Sequence, residues 1–297
     1  MTNEPATNEP ATNEPTDETS TYGPYESLRV GLGSGVDAAI AWVTIDNGPV
    51  NLFDRVLYPE MASVSAQLKV DDRVKVVVLQ SANPNFFIAH FDVGLILKIP
   101  TDGPVPTAPT AFHEMCENFR TMPKATIAKI EGRVGGGGSE LALSCDMRFA
   151  ARGRAIFNQP EVALGIIPGG SGTQRLPRLI NRSRALEVIL GCDDIDADTA
   201  ERWGWVNRSL DPGDLGEFVD RLARRIAGFP ALAIAAAKAS VLAHDGDMTG
   251  ALLQEGMAFS ETLRDPEAQV AMTNFMARGG QTVEGEQRLG QLATELG

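Results

Sequence analysis

The chain is expected to fold as an α/β protein, and three observations carry that expectation. Two nearly all-apolar runs, residues 74–80 (VKVVVLQ) and 125–130 (ATIAKI), have the composition of strands covered on both faces. Such runs alternate with stretches of helical periodicity, and each ends in a Gly-rich or polar loop. From Thr173 onward the pattern becomes almost wholly helical, so a layered core precedes a helical third.

Taken in order, residues 2–16 read TNEPA-TNEPA-TNEPT, a repeat with a proline every five residues and no apolar surface to bury. Residues 1–24 are therefore expected to form a disordered tail, with order beginning near Leu28. Residues 28–32 and 39–45 read as strands joined by a turn at Gly33-Ser34-Gly35. A loop over 47–51 leads to a helix over 54–68 with Pro59 near its first turn. Strands follow at 74–80, 125–130, 147–151 and 155–157. Asp196 is placed to cap a helix that runs through Arg202 before Gly204. Further helices are expected over 215–227, 231–244, 250–264 and 266–278, with Trp203 and Trp205 packing the helical region and Lys238 solvated or snorkelling. The polar stretch from Gly279 adds one loosely held helix.

Composition narrows the function. Thirty-nine Asp and Glu against 26 Lys and Arg leave a net charge of −13 and no basic run, which argues against nucleic acid. Cys116, Cys145 and Cys192, with three scattered histidines, have no metal-ligand or redox spacing, so no metal is expected. No apolar run approaches the ~18 residues of a membrane span, and no signal core opens the chain. The expectation is a soluble cytoplasmic protein with no membrane partner.

The chemistry concentrates in residues 130–172. Gly135, Gly136, Gly137 and Gly138 are followed at once by Ser139-Glu140-Leu141-Ala142-Leu143, a strand end, a tight loop and a helix start. Glycines without Cβ let a ligand approach main-chain N–H groups, and the helix N-terminus aims unpaired donors and a positive dipole end at it. Glu140 lies in the first helical turn and Glu161 in Gln159-Pro160-Glu161. On residues alone, each reads equally as a dipole-complementing, capping or loop carboxylate. Gly169-Gly170-Ser171-Gly172 lacks the lysine of a phosphate-binding loop and reads as a helix entrance on the pocket floor. Ser139 has no motif-supported histidine and reads as a cap or packing residue.

The runs IEGRVGGGGSELALSCDMRFA, FNQPEVALGIIPGGSGTQRL and GCDDIDADTAERWGWVN, in that order and spacing, resemble the enoyl-CoA hydratase/isomerase (crotonase) superfamily. The resemblance spans residues 28–278. It implies a ββα spiral core over 25–195, a helical trimerisation region over 196–280 and a polar C-terminal extension over 281–297, assembled as a homotrimer or a dimer of trimers. It further implies an acyl-CoA thioester substrate and no cofactor beyond the coenzyme A of that substrate. The thioester oxygen would sit between the backbone N–H groups of Phe91 and Gly137, with Glu140 and Glu161 as acid/base catalysts. Ala89, His90, Asp92, Gly136, Pro168 and Gly169 would line the substrate site. Two carboxylates favour hydration of a 2-enoyl thioester. Double-bond isomerisation, C–C cleavage or decarboxylation, thioester hydrolysis, a carrier-protein thioester and a catalytically silent acyl-CoA-binding role stay open.

Two positions depart from the family pattern. His90 and Phe91 stand where small residues are usual, so His90 is either a packed loop histidine or a third polar group near the acyl chain. Asp92 reads as a loop-fixing or capping residue. The loop over 46–53 lacks the family's basic residue, and Arg55 is the nearest substitute.

Overall fold

The computed structural model describes residues 22–296. Its strands are β1 (Leu28–Leu32), β2 (Ile40–Ile45), β3 (Val76–Ser81), β4 (Phe86–Ile88), β5 (Ala125–Ile130), β6 (Arg133–Gly135), β7 (Met147–Ala151), β8 (Ile156–Asn158), β9 (Ile195–Asp196) and β10 (Arg208–Leu210). Its helices in the first half are α1 (Leu57–Val70), α2 (Val93–Ile96), α3 (Ala111–Thr121) and α4 (Gly136–Leu143). After them come α5 (Gly172–Ile180), α6 (Arg182–Gly191), α7 (Ala197–Trp203), α8 (Pro212–Ala227) and α9 (Ala231–Leu242). The C-terminal helices are α10 (Thr249–Leu263), α11 (Pro266–Ala277), α12 (Val283–Gln287) and α13 (Leu289–Ala293).

The strands form a six-stranded sheet, β1-β2-β3-β5-β7-β10, and a four-stranded sheet, β4-β6-β8-β9. Each turn of the chain lays a longer strand in the first sheet and then a short one in the second: β3 and β4, β5 and β6, β7 and β8. Pairing within both series is parallel. That repetition is the ββα spiral, and it brings the loops after β4, β6 and β8 together at one end.

The apolar runs are double-faced because both faces of the large sheet are covered. In β3, Val77 and Leu79 enter the core shared with α1 and α3. The alternating Val76 and Val78 pack on the other side against Leu215, Val219 and Ala223 of α8. The sheet thus draws on β10 and α8, beyond residue 195.

Several expectations need correction. Gly33-Ser34-Gly35 is not a tight hairpin, because a 3₁₀ turn, Gly35–Ala39, intervenes before β2. Helix α1 starts at Leu57, since the Asp54 carboxylate caps the N–H groups of Val56 and Leu57 and delays the helix. Strands β4, β6, β9 and β10 have two or three residues each and carry too little pattern to be read. Order begins before Leu28: Tyr22 is buried and its hydroxyl donates to Asp71 at 2.5 Å. The rest of the pentapeptide tail lies outside the described residues. Trp205 belongs to the main core, against Phe157. Lys238 is not solvated; its ammonium pairs with Asp146 at 2.9 Å and donates to the Phe119 and Lys124 carbonyls.

The largest correction concerns the stretch from Gly279. It is two helices, not one loosely held one. Leu289, Leu292 and Leu296 are buried with Met272 and Phe275, and Glu286 is fully buried. Leu289 and Leu292, three apart in α13, share one face of that helix, and Leu296 packs into the same cluster just beyond its end, which outweighs the polar average of the segment.

Candidate active site

Strand β6 delivers the chain into α4 through Gly135, which caps it, and Gly136, whose φ of +44° few other residues adopt. A Cβ on Gly136 would meet Glu161 Oε1 at 2.9 Å and the His90 Cβ at 3.0 Å. The glycine therefore lets those two side chains close on one spot. Gly137 is the second residue of α4, where a main-chain N–H has no intrahelical acceptor. Opposite it, Phe91 pairs with Phe53 as a lone parallel bridge: the Phe53 N–H donates to the His90 carbonyl and the Asp92 N–H to the Phe53 carbonyl. That pairing consumes the groups on either side of the Phe91 N–H and turns the latter the other way. Phe91 and Gly137 line one cavity with Glu140 and Glu161.

The two carboxyls are held differently. Glu140 Oε1 accepts the Gly170 and Gly172 N–H groups, both at 2.8 Å, at the entrance of α5. Glu161 opens a 3₁₀ turn, Glu161–Leu164. Its Oε2 is buried with no hydrogen-bond partner among the described residues. Burial pushes Glu140 well above the ordinary carboxylate range, and the charges of Glu161 and Glu255 add to it, against the pull of the Gly172 and Gly170 N–H groups. Burial lifts Glu161 to about 7, while its own N–H and His90 pull it back.

A third carboxylate, missed in the sequence, completes the α5 entrance. Glu255 of α10 accepts the Ser171 N–H, the Thr173 N–H at 3.0 Å and the Thr173 hydroxyl, and meets His113 Nε2 at 3.1 Å. Four consecutive main-chain donors, from Gly170 to Thr173, thus alternate between Glu140 and Glu255. A glutamate in the middle of a helix carries no local signal for this.

His90 is packed, as one of its two readings had it, and it also borders the cavity. It is buried, its Nδ1 lies 2.7 Å from the Phe91 carbonyl and its Nε2 lies 3.0 Å from Glu286 Oε1. Burial opposes its charge, but Glu286, the Phe91 carbonyl and Glu161 outweigh burial and raise it to about 8. Glu286 is held below the usual range in spite of burial, chiefly by His90. No motif or spacing in the chain points to Glu286.

The cavity encloses ≈ 330 Å³ and is mostly apolar, with Tyr58, Phe112, Ile96, Leu164, Ile166 and Phe259 among its walls. Of the expected site residues, His90, Phe91, Gly137, Glu140, Glu161 and Gly169 line it. Ala89, Asp92, Gly136 and Pro168 do not. Ala89 is fully buried behind the loop, its N–H donating to the Val50 carbonyl. Asp92 caps α2 by accepting the Gly94 N–H at 2.8 Å, as its capping reading anticipated. Gly136 acts by the space it leaves. Pro168 packs near the α5 entrance, beside where a Cβ on Gly172 would fall. Ser139 is buried inside α4 and its hydroxyl has no partner among the described residues.

A family model for enoyl-CoA hydratase/isomerase matches residues 35–285. A short-chain-enoyl-CoA hydratase of Clostridium acetobutylicum is 31% identical over 245 residues, covering 82% of this chain and 93% of that protein. A crotonyl-CoA hydratase of Syntrophomonas wolfei is 31% identical over 232 residues, covering 77% and 88%. A crystal structure from Streptomyces avermitilis, assigned as an enoyl-CoA hydratase, matches with a TM-score of 0.81 at 38% identity, covering 92% of this chain and 98% of that one.

Proposed function

The chain belongs to the enoyl-CoA hydratase/isomerase family, and from that premise we propose that it adds water across the 2,3-double bond of an enoyl-CoA thioester. The observation that carries the reading is the unlike pair of carboxyls on one apolar cavity. Two buried carboxyls facing the same space share a proton at neutral pH, because ionising both would bring like charges together without water. The Gly170 and Gly172 N–H groups favour the charge on Glu140, whereas Glu161, with an orphan oxygen, keeps the proton. Glu140 is then the base and Glu161 the acid.

In the reaction, the thioester oxygen accepts the Phe91 and Gly137 N–H groups, whose stabilisation grows as negative charge moves onto it. A preorganised donor of this kind is worth about 10²–10³ in rate. The water oxygen bonds to Cβ while its proton passes to the Glu140 carboxylate. The electron pair of the double bond moves toward the thioester, and Cα takes the Glu161 proton. The product is the 3-hydroxyacyl thioester; a proton returning from Glu140 to Glu161 resets the pair. No cofactor beyond the coenzyme A of the substrate is required by these steps. Arg55, three residues before the cavity-lining Tyr58, is the group proposed to meet the coenzyme A phosphates.

The test is loss of enoyl absorbance with crotonyl-, longer-chain and aromatic enoyl-CoA, with product mass equal to substrate plus water. An unchanged absorbance across that panel would exclude hydration. His90 in the cavity favours a second reading, C–C cleavage or thioester hydrolysis on the same enolate, which product masses smaller than the substrate would identify.

Assembly is proposed from α9. It buries none of its residues, and its Leu232 and Val241, on opposite sides of the helix, are 81% and 71% exposed; this uncovered apolar surface suits further copies of the chain in a trimer or a dimer of trimers. A monomer mass by sedimentation at micromolar concentration would rule this out.

A further inference from the structure

Within the hydratase reading, the C-terminal segment holds the most informative group outside the catalytic pair. Segment 281–286 is tied to the Phe91 loop by a chain of hydrogen bonds. Gln281 Oε1 accepts the Val93 N–H at 2.6 Å, Gln281 Nε2 donates to Asp92 Oδ1 at 3.0 Å, and the Gln281 N–H donates to Glu286 Oε1 at 2.8 Å. Glu286 then meets His90 Nε2, and His90 Nδ1 meets the Phe91 carbonyl. A carbonyl and a carboxylate only accept. With Glu286 ionised, both ring nitrogens donate, which makes the ring an imidazolium.

We propose that Glu286 is a positioning residue that keeps His90 an imidazolium, and that this cation orients the Phe91 peptide and strengthens Glu161 as the acid. Holding the Phe91 carbonyl fixes the loop that presents the Phe91 N–H to the thioester oxygen. The His90 Cβ and Glu161 Oε1 both border the space above Gly136, and the charge carried by the His90 ring favours the ionised form of Glu161, easing release of its proton. The charged groups around this centre are Glu286 on α12, Glu161 on its 3₁₀ turn, Asp92 on the loop, Glu140 on α4, Glu255 on α10 and Arg133 on β6. Arg133 is tied to Asp194 at 2.6 Å and helps keep Glu286 ionised. Among these groups His90 is the cation that Glu161 senses, so removing its charge weakens the acid.

The pair can be read without turnover. The chain has three histidines, so ¹⁵N-histidine NMR with His90→Asn as the assignment control isolates the ring. In the unmodified protein at pH 7, both ring nitrogens should carry protons, with a midpoint near 8. In Glu286→Gln that midpoint should fall by about one unit or more, kcat by about ten-fold with KM nearly unchanged, and the alkaline limb of kcat should move upward. A neutral His90 in the unmodified protein at pH 7, or an unchanged midpoint in Glu286→Gln, would overturn the proposal. So would a fallen midpoint with an unmoved alkaline limb, the outcome of a merely structural role. If no enoyl thioester turns over, the hydratase reading fails while the NMR result still decides the state of His90.

Discussion

Glu140 and Glu161 are the same side chain, buried on the same cavity, and their surroundings are opposite. The Glu140 wall is a helix entrance that supplies two main-chain donors to one oxygen; the Glu161 wall supplies a neighbouring imidazole and leaves an oxygen unpartnered among the described residues. Burial raises both carboxyls, so desolvation alone does not set them apart. Their partners do: two main-chain donors favour the charged form of Glu140, whereas its own N–H and the charge of His90 pull Glu161 down.

The sharpest way to break this asymmetry is to neutralise each side in turn. Glu140→Gln and Glu161→Gln should each lower kcat by about 10²–10⁴-fold, the range of a positioned acid or base. The fold should persist, since the amide introduced by Glu140→Gln retains an oxygen for the Gly170 and Gly172 N–H groups. In the unmodified enzyme, kcat should fall as the pH rises through about 7, because Glu161 is raised to that point and loses the donated proton above it. Glu161→Gln should abolish that limb in whatever activity remains; a limb that persists would assign it to another group.

A gentler test keeps both glutamates and crowds the donor wall against Glu140 and Phe112. A Cβ on Gly170 would fall inside van der Waals contact of both Glu140 Oε2 and a Phe112 ring carbon. Gly170→Ala should therefore displace Glu140 and lower kcat by about 10²-fold, as an ångström-scale misplacement can. Gly191→Ala, where nothing lies within 4 Å of the added Cβ, should leave kcat as it was. Equal rates for the two variants would detach the Gly170 donor from catalysis.

The walls also differ in how legible they were. Glu140, Glu161, Gly137 and Phe91 stand in short stretches that follow β6, β8 and β4, and successive turns of the spiral bring those strand ends together. The strands 125–130 and 147–151 were readable to the residue, because a strand covered on both faces has a near-continuous apolar pattern, here interrupted only by Thr126, Lys129 and Arg148. Glu255 and Glu286 were not legible. One lies in a helix and the other in a polar stretch, and their partners, Ser171 and His90, are 84 and 196 residues away. The three leucines at 289, 292 and 296 would have announced a packed C-terminal segment; they would not have announced a buried carboxylate beside it.

By itself, the sequence determined the layered α/β class and the glycine turn into α4, because backbone freedom and apolar periodicity are local properties of a chain; Glu140 and Glu161 stood out only through the resemblance of their motifs to a family. Tertiary structure alone decided which donors and charges surround each carboxyl. It alone drew the last polar segment inward to set Glu286 against His90. Protonation depends on burial and on neighbours distant in sequence, and local pattern encodes neither.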